Sequence, residues 1–269
     1  MDWNRTKTIF IMVFLILDIF LLDQFMGKKS DNKYDYMSQT PIDELLKEEN
    51  ITYPPMPKQK QKGNYLVAKT KVFKKDDLKS LKDQDLLIAD VERTKLVGTF
   101  KNKTKVSEKL QTSEIDLFMK ENIFHGEDYS YWTYDKTNNS IVYYQDFDSK
   151  IFYNNSKGKV TLFLNEDREI VSYEQTYLED IEEFNEPKEM ILPIKAIEAL
   201  YLKGDIPPDS EITNFQPGYY NSLQSNSSSS SFLLVPTWRI IVDDKNDLFV
   251  NAFDGEVIEL NTEEKILLE

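Results

Sequence analysis

The chain opens with an apolar run unlike anything that follows it. Ile9 to Leu22 are apolar except for Asp18, and extending the run to Met26 gives 18 residues. As an α-helix this segment would be about 27 Å long, which is at the short end for a bilayer span. The pattern therefore predicts a transmembrane helix over residues 9–26, preceded by a cytoplasmic tail over residues 1–8.

A cleaved signal peptide is the alternative interpretation of this run. Large or charged side chains such as Phe25 and Lys28 follow it, where a signal peptidase requires small ones, and this favours a permanent anchor. Basic residues flank both ends of the run, so the positive-inside rule barely discriminates between orientations. The short N-terminal tail and the long polar remainder favour a single-pass protein of the cell membrane with an extracellular C-terminal part.

Asp18 is the unusual residue of this segment, because a carboxylate at the centre of a membrane helix costs about 2.5–3.5 kcal/mol. It is tolerated if it meets a donor on a neighbouring helix, or if it is protonated or reaches interfacial water. The first alternative predicts that the helix packs against a partner's membrane helix through the face around Asp18. The other residues of that predicted interface are Ile11, Phe14, Leu15, Leu21, Leu22 and Phe25.

Residues 27–57 are polar and then proline-rich, and we expect a stalk and linker there. Thr40 and Pro41 have the pattern of a helix start, with Thr40 as the cap and Pro41 in the first turn. The segment 53–57 contains three prolines, so it is expected to be extended.

From residue 58 onwards, short alternating runs separated by turn residues indicate strands. We expect strands over 65–73, 86–100, 129–134, 141–145, 159–164, 170–177, 236–242, 248–253 and 256–260. Short helices are predicted over 113–122 and 193–202, with Gly204 capping the second, and 225–231 is predicted to be a Ser-rich loop. The acidic stretch 178–189 is interpreted as an irregular boundary.

These elements predict an α+β fold with two small antiparallel-sheet domains, residues 58–180 and 190–269, each with short helices. The Tyr- and Trp-containing strand 129–134 is expected to contribute to a core or sheet face. An exposed aromatic strip for glycans or for another protein is the alternative.

Composition excludes several kinds of chemistry. There is no cysteine and only one histidine, His125, so disulfides, thiolate catalysis and Cys-based metal sites are excluded. The net charge of −14 argues against nucleic-acid binding. His125 is expected at a surface or a helix end, and the carboxylate pairs Glu182/Glu183, Asp146/Asp148 and Asp243/Asp244 are expected to be solvated. No catalytic, cofactor-binding or metal-binding residues are therefore predicted, although an extracellular carboxylate hydrolase is a weak alternative.

Charge is distributed unevenly along the chain. Residues 57–105 contain 14 Lys/Arg and 6 Asp/Glu, a net charge of +8, whereas residues 106–269 contain 13 and 32, a net charge of −19. Two solvated faces of opposite sign are one interpretation. Docking of the two segments on each other, or electrostatic selection of a partner, is the other.

Two blocks of the sequence resemble a known family. The opening residues Met1–Asn4, Lys7–Ile11 and Phe14–Leu22 are similar to the start of the YycI (WalI) family of Gram-positive bacteria. The C-terminal Pro236–Ile240 and Val250–Val257 resemble that family's last domain, although this hairpin pattern is shared with peptidase-propeptide-like domains.

The resemblance implies a YycH-like extracellular α+β part and no catalytic residues. It further implies that the protein, with a YycH homologue, binds the sensor histidine kinase WalK (YycG) of the WalK–WalR two-component regulatory system, partly within the lipid bilayer, and so modulates cell-wall metabolism. Relatives differ in whether they activate or inhibit the kinase. The propeptide-like C-terminal pattern leaves an alternative function, a binding module for a wall polymer or a secreted protease.

Overall fold

The structure is a computed structural model that describes residues 3–31, 41–107, 110–221 and 231–260, with the backbone alone for residues 4–6 and 23–31. The chain divides into two compact units, Met1–Glu49 and Asn50–Glu269. The division of the second part into domains 58–180 and 190–269 stays a prediction.

In the part of the first unit that the structure describes there are two helices, α1 (Trp3–Asp31) and α2 (Ile42–Glu48). A helix thus occupies the predicted positions 9–26 and extends beyond them at both ends. Within the part of the chain that the structure describes, no helix has both the length and the apolar character needed to cross a membrane. Pro41 directly precedes α2, while its predicted cap Thr40 lies outside the described residues.

Within its described residues, the second unit contains thirteen strands, two α-helices, α3 (Thr112–Asn122) and α4 (Pro193–Lys203), and one short 3-10 helix, Gly126–Asp128. The first seven strands are β1 (Lys62–Thr70), β2 (Gln84–Ile88), β3 (Leu96–Lys105), β4 (Tyr129–Asp135), β5 (Ser140–Phe147), β6 (Lys150–Tyr153) and β7 (Lys159–Leu164). The remaining six are β8 (Glu169–Gln175), β9 (Leu178–Glu189), β10 (Ile212–Asn221), β11 (Ser231–Val242), β12 (Asn246–Asn251) and β13 (Val257–Ile258).

The strands form one large, mainly antiparallel sheet in the order β13-β12-β11-β10-β6-β5-β7-β8-β3-β2. In addition, β4 pairs with β5, and β1 lies between β9 and β11. The single parallel pairing among these described strands, β6 with β10, lies in the middle of this order and joins the C-terminal strands β10–β13 to the rest of the sheet. The predicted α+β class and the mainly antiparallel pairing are confirmed, with one large sheet in place of the two small ones expected.

Alternation along the strands creates the principal core beneath α3. Ile141 and Tyr143 of β5 and Leu162 of β7 are fully buried, and α3 contributes Ile115 and Met119 from the opposite side. The helix predicted over 113–122 is confirmed and begins one residue earlier, but the predicted capping box is not formed, because Gln111 precedes the helix and makes no side-chain cap hydrogen bond. Burial of the three α3 side chains Ile115, Phe118 and Met119, each worth roughly 1.5–3 kcal/mol, holds α3 on the sheet.

Helix α4 packs on the C-terminal strands in the same way that α3 packs on the strands of the principal core. Pro193 stands in the first turn of α4, and Gly204 ends the helix at φ +83°, so the predicted cap is confirmed. Trp238 of β11 is buried and its indole N–H donates to the carbonyl of Ile191 just before α4 (2.9 Å). This hydrogen bond holds the segment that leads into α4 against strand β11.

Several sequence-based expectations were wrong. Residues 178–189 are not an irregular boundary but the twelve-residue strand β9. The expected strand 86–100 is a hairpin, because Asp90 receives hydrogen bonds from the Thr94 hydroxyl and the Lys95 N–H and so closes a turn between β2 and β3. Strands β6 and β10 were not predicted, and most of the predicted 225–231 loop lies outside the described residues.

Candidate functional site

Helix α1 carries the sequence-predicted interface. The large apolar side chains of residues 9–22 are exposed on every side of the helix, with exposed fractions between 46% for Leu17 and 66% for Ile11. A water-soluble helix normally buries one apolar stripe and exposes a polar one. α1 has no polar stripe in this segment, so its surface suits an apolar environment or other apolar helices.

Asp18 lies within this apolar segment and is exposed. Because α1 is continuous, positions three, four and seven residues away share the face of Asp18. The predicted interface residues with a described side chain, Ile11, Phe14, Leu15, Leu21 and Leu22, therefore stand on one face, each more than half exposed. Phe25 belongs to the same face by position, but its side chain lies outside the described residues.

In the second unit, the uneven charge distribution has a structural explanation. The basic segment 57–105 forms β1, β2 and β3, and the acidic segment forms β8 and β9, which pair with β3 and β1. Five ion pairs connect them: Lys60–Glu189 (2.9 Å), Lys69–Asp180 (3.1 Å), Lys71–Glu179 (3.0 Å), Lys95–Glu174 (2.8 Å) and Lys103–Glu169 (3.7 Å). Internal docking is thus the interpretation that the structure favours.

These ion pairs help to select which strands pair, but they add little to the free energy of unfolding. An exposed pair contributes only about 0–1 kcal/mol, and four of the five are substantially exposed. Lys71 is different, because its side chain is only 13% exposed and its ammonium also lies 3.5 Å from Asp77. It also stands over the ring of Phe124 at 5.5 Å.

His125, the only histidine, lies in a turn between α3 and β4 in the left-handed conformation (φ 46°). Its ring stacks on Tyr177, with 5.3 Å between the ring centroids, and its Nδ1 is 3.7 Å from the Asp128 carboxylate. The Tyr177 hydroxyl donates to the same carboxylate (2.7 Å), and burial together with this bond raises the pKa of Tyr177. His125 therefore belongs to a half-buried aromatic turn at the end of α3.

The aromatic strand 129–134 belongs to the core, as its default interpretation predicted. Tyr129 and Trp132 are buried, and the Tyr129 hydroxyl donates to the carbonyl of Thr176 (2.5 Å). Burial raises the pKa of Tyr129 well above its usual value. The structure places no exposed aromatic strip on this strand.

A groove of about 620 Å³ opens beside Trp132. The Arg239 guanidinium stacks 4.1 Å from the centre of the Trp132 ring and donates two hydrogen bonds of 2.7 Å to Asp247 and one of 3.2 Å to Gln216. The rest of the lining comes from Thr133, Ile241, Asp244, Lys245 and Asn246. The base of the groove is thus formed by Trp132 and the Arg239–Asp247 pair, which has no net charge, and the rim of the groove is polar.

The carboxylate pairs of the sequence do not form facing acids. Asp146 is half-buried and accepts a hydrogen bond from Ser130 (2.7 Å), and burial raises its pKa, whereas Asp148 is paired with Lys150 at 2.9 Å. Glu182 and Glu183 are neighbours on a strand and so point to opposite faces. The Asp243/Asp244 pair forms the turn between β11 and β12, where Asp243 accepts from the N–H of Glu211. Among the described residues, no cluster of three or more His, Asp or Glu side chains is placed to hold a metal ion.

Comparison with protein-family models gives a match that covers most of the chain. Residues 30–253 match the family model described as YycI protein. No curated protein sequence matches significantly.

Three solved structures are similar to this chain at low identity. An uncharacterized protein from Eubacterium rectale ATCC 33656 is 12% identical, covering 78% of this chain and 89% of that one, with a TM-score of 0.43. The YpeB C-terminal domain from Bacillus megaterium is 15% identical, covering 74% and 91%, with a TM-score of 0.41. YycH from Bacillus subtilis is 13% identical, covering 77% and 54%, with a TM-score of 0.42.

Proposed function

This chain belongs to the YycI family, and from that premise we propose that it is a membrane-anchored, non-catalytic accessory regulator. Together with a YycH homologue it binds the sensor histidine kinase WalK (YycG) and modulates the control of cell-wall metabolism. The observation that carries this proposal is the family match over residues 30–253. The N-terminus would be cytoplasmic, and the second unit extracellular.

The surface of α1 supports membrane anchoring. Thirteen of the fourteen residues from Ile9 to Leu22 present exposed apolar side chains, and the other residue is Asp18. In water this surface would favour aggregation, since contiguous exposed apolar patches are rarely tolerated on soluble proteins. In a bilayer the same surface is solvated by lipid, and Asp18 is then the group that needs a partner.

We assign Asp18 and the apolar residues of its face to contact with a partner's membrane helix. Packing of apolar side chains supplies shape, and a donor on the facing helix satisfies the carboxylate. Regulation then requires that the assembled complex prefer one conformation of the kinase. A tenfold difference in affinity between two kinase states corresponds to about 1.4 kcal/mol and shifts their ratio by the same factor.

Crosslinking and co-purification from native membranes test the proposal. The unaltered chain is expected to recover both the YycH homologue and the kinase. Asp18→Leu should reduce recovery of the kinase several-fold, whereas Ile16→Leu, on the opposite face of α1, should leave it unchanged. Recovery of neither protein with the unaltered chain would contradict the proposed function, and undiminished recovery with Asp18→Leu would contradict the role of that face alone.

A wall-polymer binding module is a second candidate, and the groove beside Trp132 favours it. Its volume of about 620 Å³ lies in the range of ligand sites, and its polar rim offers both donors and acceptors. Sedimentation with purified peptidoglycan tests this candidate. Retention that is lost on Asn246→Ala would favour it, and no retention of the unaltered chain would dismiss it.

A further inference from the structure

An apolar strip lies on the surface of the second unit, on one face of strands β9, β1 and β11. Leu66, Ala68 and Leu234 on the other face of these strands are fully buried. Since successive side chains alternate between faces, the strip is formed by their neighbours. It consists of Tyr65, Val67, Phe184 and Leu233, together with Phe253 from the turn after β12, and we call it the β1–β9 strip.

The strip is continuous, because its members are cross-strand neighbours. Tyr65 pairs directly with Phe184 on β9, and Val67 pairs with Leu233 on β11. The rings of Tyr65 and Phe253 are 4.9 Å apart. Phe184 is 51% exposed and the other four are half-buried. The ammonium of Lys188 on β9 lies over the rings of Tyr65 (5.4 Å) and Phe253 (6.0 Å), so an incoming cation would take the place of Lys188 there, and Phe184 is the strip's most accessible ring.

The surroundings of the strip are acidic. Strand β9 contains six acidic residues and one lysine. Four of the acids are engaged by β1 or the segments that flank it, in Lys71–Glu179, Lys69–Asp180, Asn64–Glu183 and Lys60–Glu189. The carboxylates of Glu182 and Glu186 are exposed and form no ion pair with any described residue. Glu182 stands on the face of the strip, opposite Val67.

The free edge of β9 is a poor site for an added strand. The register with β1 shifts twice, where Asp180 and Asn185 adopt positive φ, and Pro187 follows. Bulges, proline and charged side chains are the devices that prevent edge-to-edge pairing. A partner is therefore expected to contact the side chains of the face and not the backbone of the edge.

From these observations we infer that the β1–β9 strip is a docking surface for a protein segment that is apolar and carries lysine or arginine. Its apolar side chains would cover Phe184 and Tyr65, and its cations would meet Glu182 and Glu186. Aromatic anchors ringed by charge are typical of interface centres, where a few side chains dominate affinity and charges select the partner. The inference rests on the proposed function, since it gives the extracellular contact of the regulatory complex a location.

The test measures binding of the full chain, in nanodiscs, to the YycH homologue of the same organism. Phe184→Ser is expected to weaken binding about tenfold or more, the loss usual for an aromatic anchor. Because Phe184 is already exposed, the variant should unfold at the temperature of the unaltered protein. Leu117→Ser on α3, where Leu117 is 57% exposed, is the matched control and should bind normally.

A second variant tests the charge argument independently. Glu182→Lys with Glu186→Lys should weaken binding at low ionic strength, and the deficit should shrink in high salt because screening removes the repulsion. Glu121→Lys with Glu127→Lys, two exposed acids elsewhere on the unit, is the control for changed net charge.

The outcomes separate the inference from the proposed function. If the unaltered chain does not bind the YycH homologue, the proposed function is overturned, and this inference with it. If the unaltered chain binds and both strip variants bind within twofold of it, the docking surface is overturned while the proposed function stands.

Discussion

The Arg239–Asp247 pair should contribute strongly to the stability of the second unit. We therefore expect Arg239→Met to lower the free energy of unfolding. The two side chains are only 16% and 9% exposed, and they form two hydrogen bonds of 2.7 Å. Removing one partner of a buried pair costs about 3–5 kcal/mol, since the other charge is left buried and unpaired. The groove beside the pair admits water, so we expect about 3 kcal/mol, including roughly 1 kcal/mol from the lost stack on Trp132.

The assay is thermal and urea unfolding of the full chain followed by circular dichroism. For a unit of this size the expected loss lowers Tm by about 6–12 °C. A double-mutant cycle identifies the cause: Arg239→Met with Asp247→Leu removes both charges and should regain most of the loss. A shift of Tm below about 2 °C for Arg239→Met, or a double variant as unstable as the two single variants combined, would refute this reasoning.

Three further predictions concern backbone and titration. Gly98→Ala should lower stability by about 1–3 kcal/mol in urea unfolding, because the added Cβ would overlap the ring of its cross-strand neighbour Tyr173; an unchanged midpoint would contradict this. Gly204→Ala should cost about 1 kcal/mol, since φ is +83° and the added methyl meets no neighbour that could compensate; a stabilised variant would contradict it. Burial raises the pKa of Tyr177 and raises that of Tyr219 to about 12, so the unfolded chain loses these protons first and stability should fall as pH rises through 10 towards 12. Absorbance titration of tyrosine with Tm measured in parallel tests this, and simultaneous ionisation of all tyrosines near pH 10 at constant Tm would contradict it.

Local signals in the sequence predicted the helices and the regular hairpins well. The Ser113–Asp116 pattern and the proline–glycine pair located α3 and α4 almost to the residue, although no side chain caps the start of α3. The strand over 159–164 was predicted with its observed bounds, because apolar Val160, Leu162 and Leu164 recur at every second position and all three are buried.

The missed elements are those that depend on distant partners. Strand β9 has few apolar side chains and is held by cross-strand pairing with the lysine-rich β1, more than 100 residues earlier. Strand β10 contains Pro217 and Gly218, which argue against a strand locally, yet it pairs along its length with β11. Gly218 is required there because the Tyr153 ring packs against its backbone.

The two candidate interfaces also differ in whether their residues could be predicted from the sequence. The face of α1 around Asp18 follows from helical periodicity alone, so its residues could be chosen from the sequence. The β1–β9 strip could not, since Tyr65, Phe184 and Phe253 are brought together only by the pairing of β9 with β1 and the return of the chain after β12. Uneven charge was the one signal that pointed towards that pairing.

The central claim is that this protein, with a YycH homologue, shifts the kinase between conformations. Autophosphorylation of WalK reconstituted in liposomes measures this directly, with and without the two proteins. We predict a several-fold change in the initial rate that requires both proteins and is reduced by Asp18→Leu. An identical rate with and without them, under conditions where the complex is shown to assemble, would contradict the regulatory function.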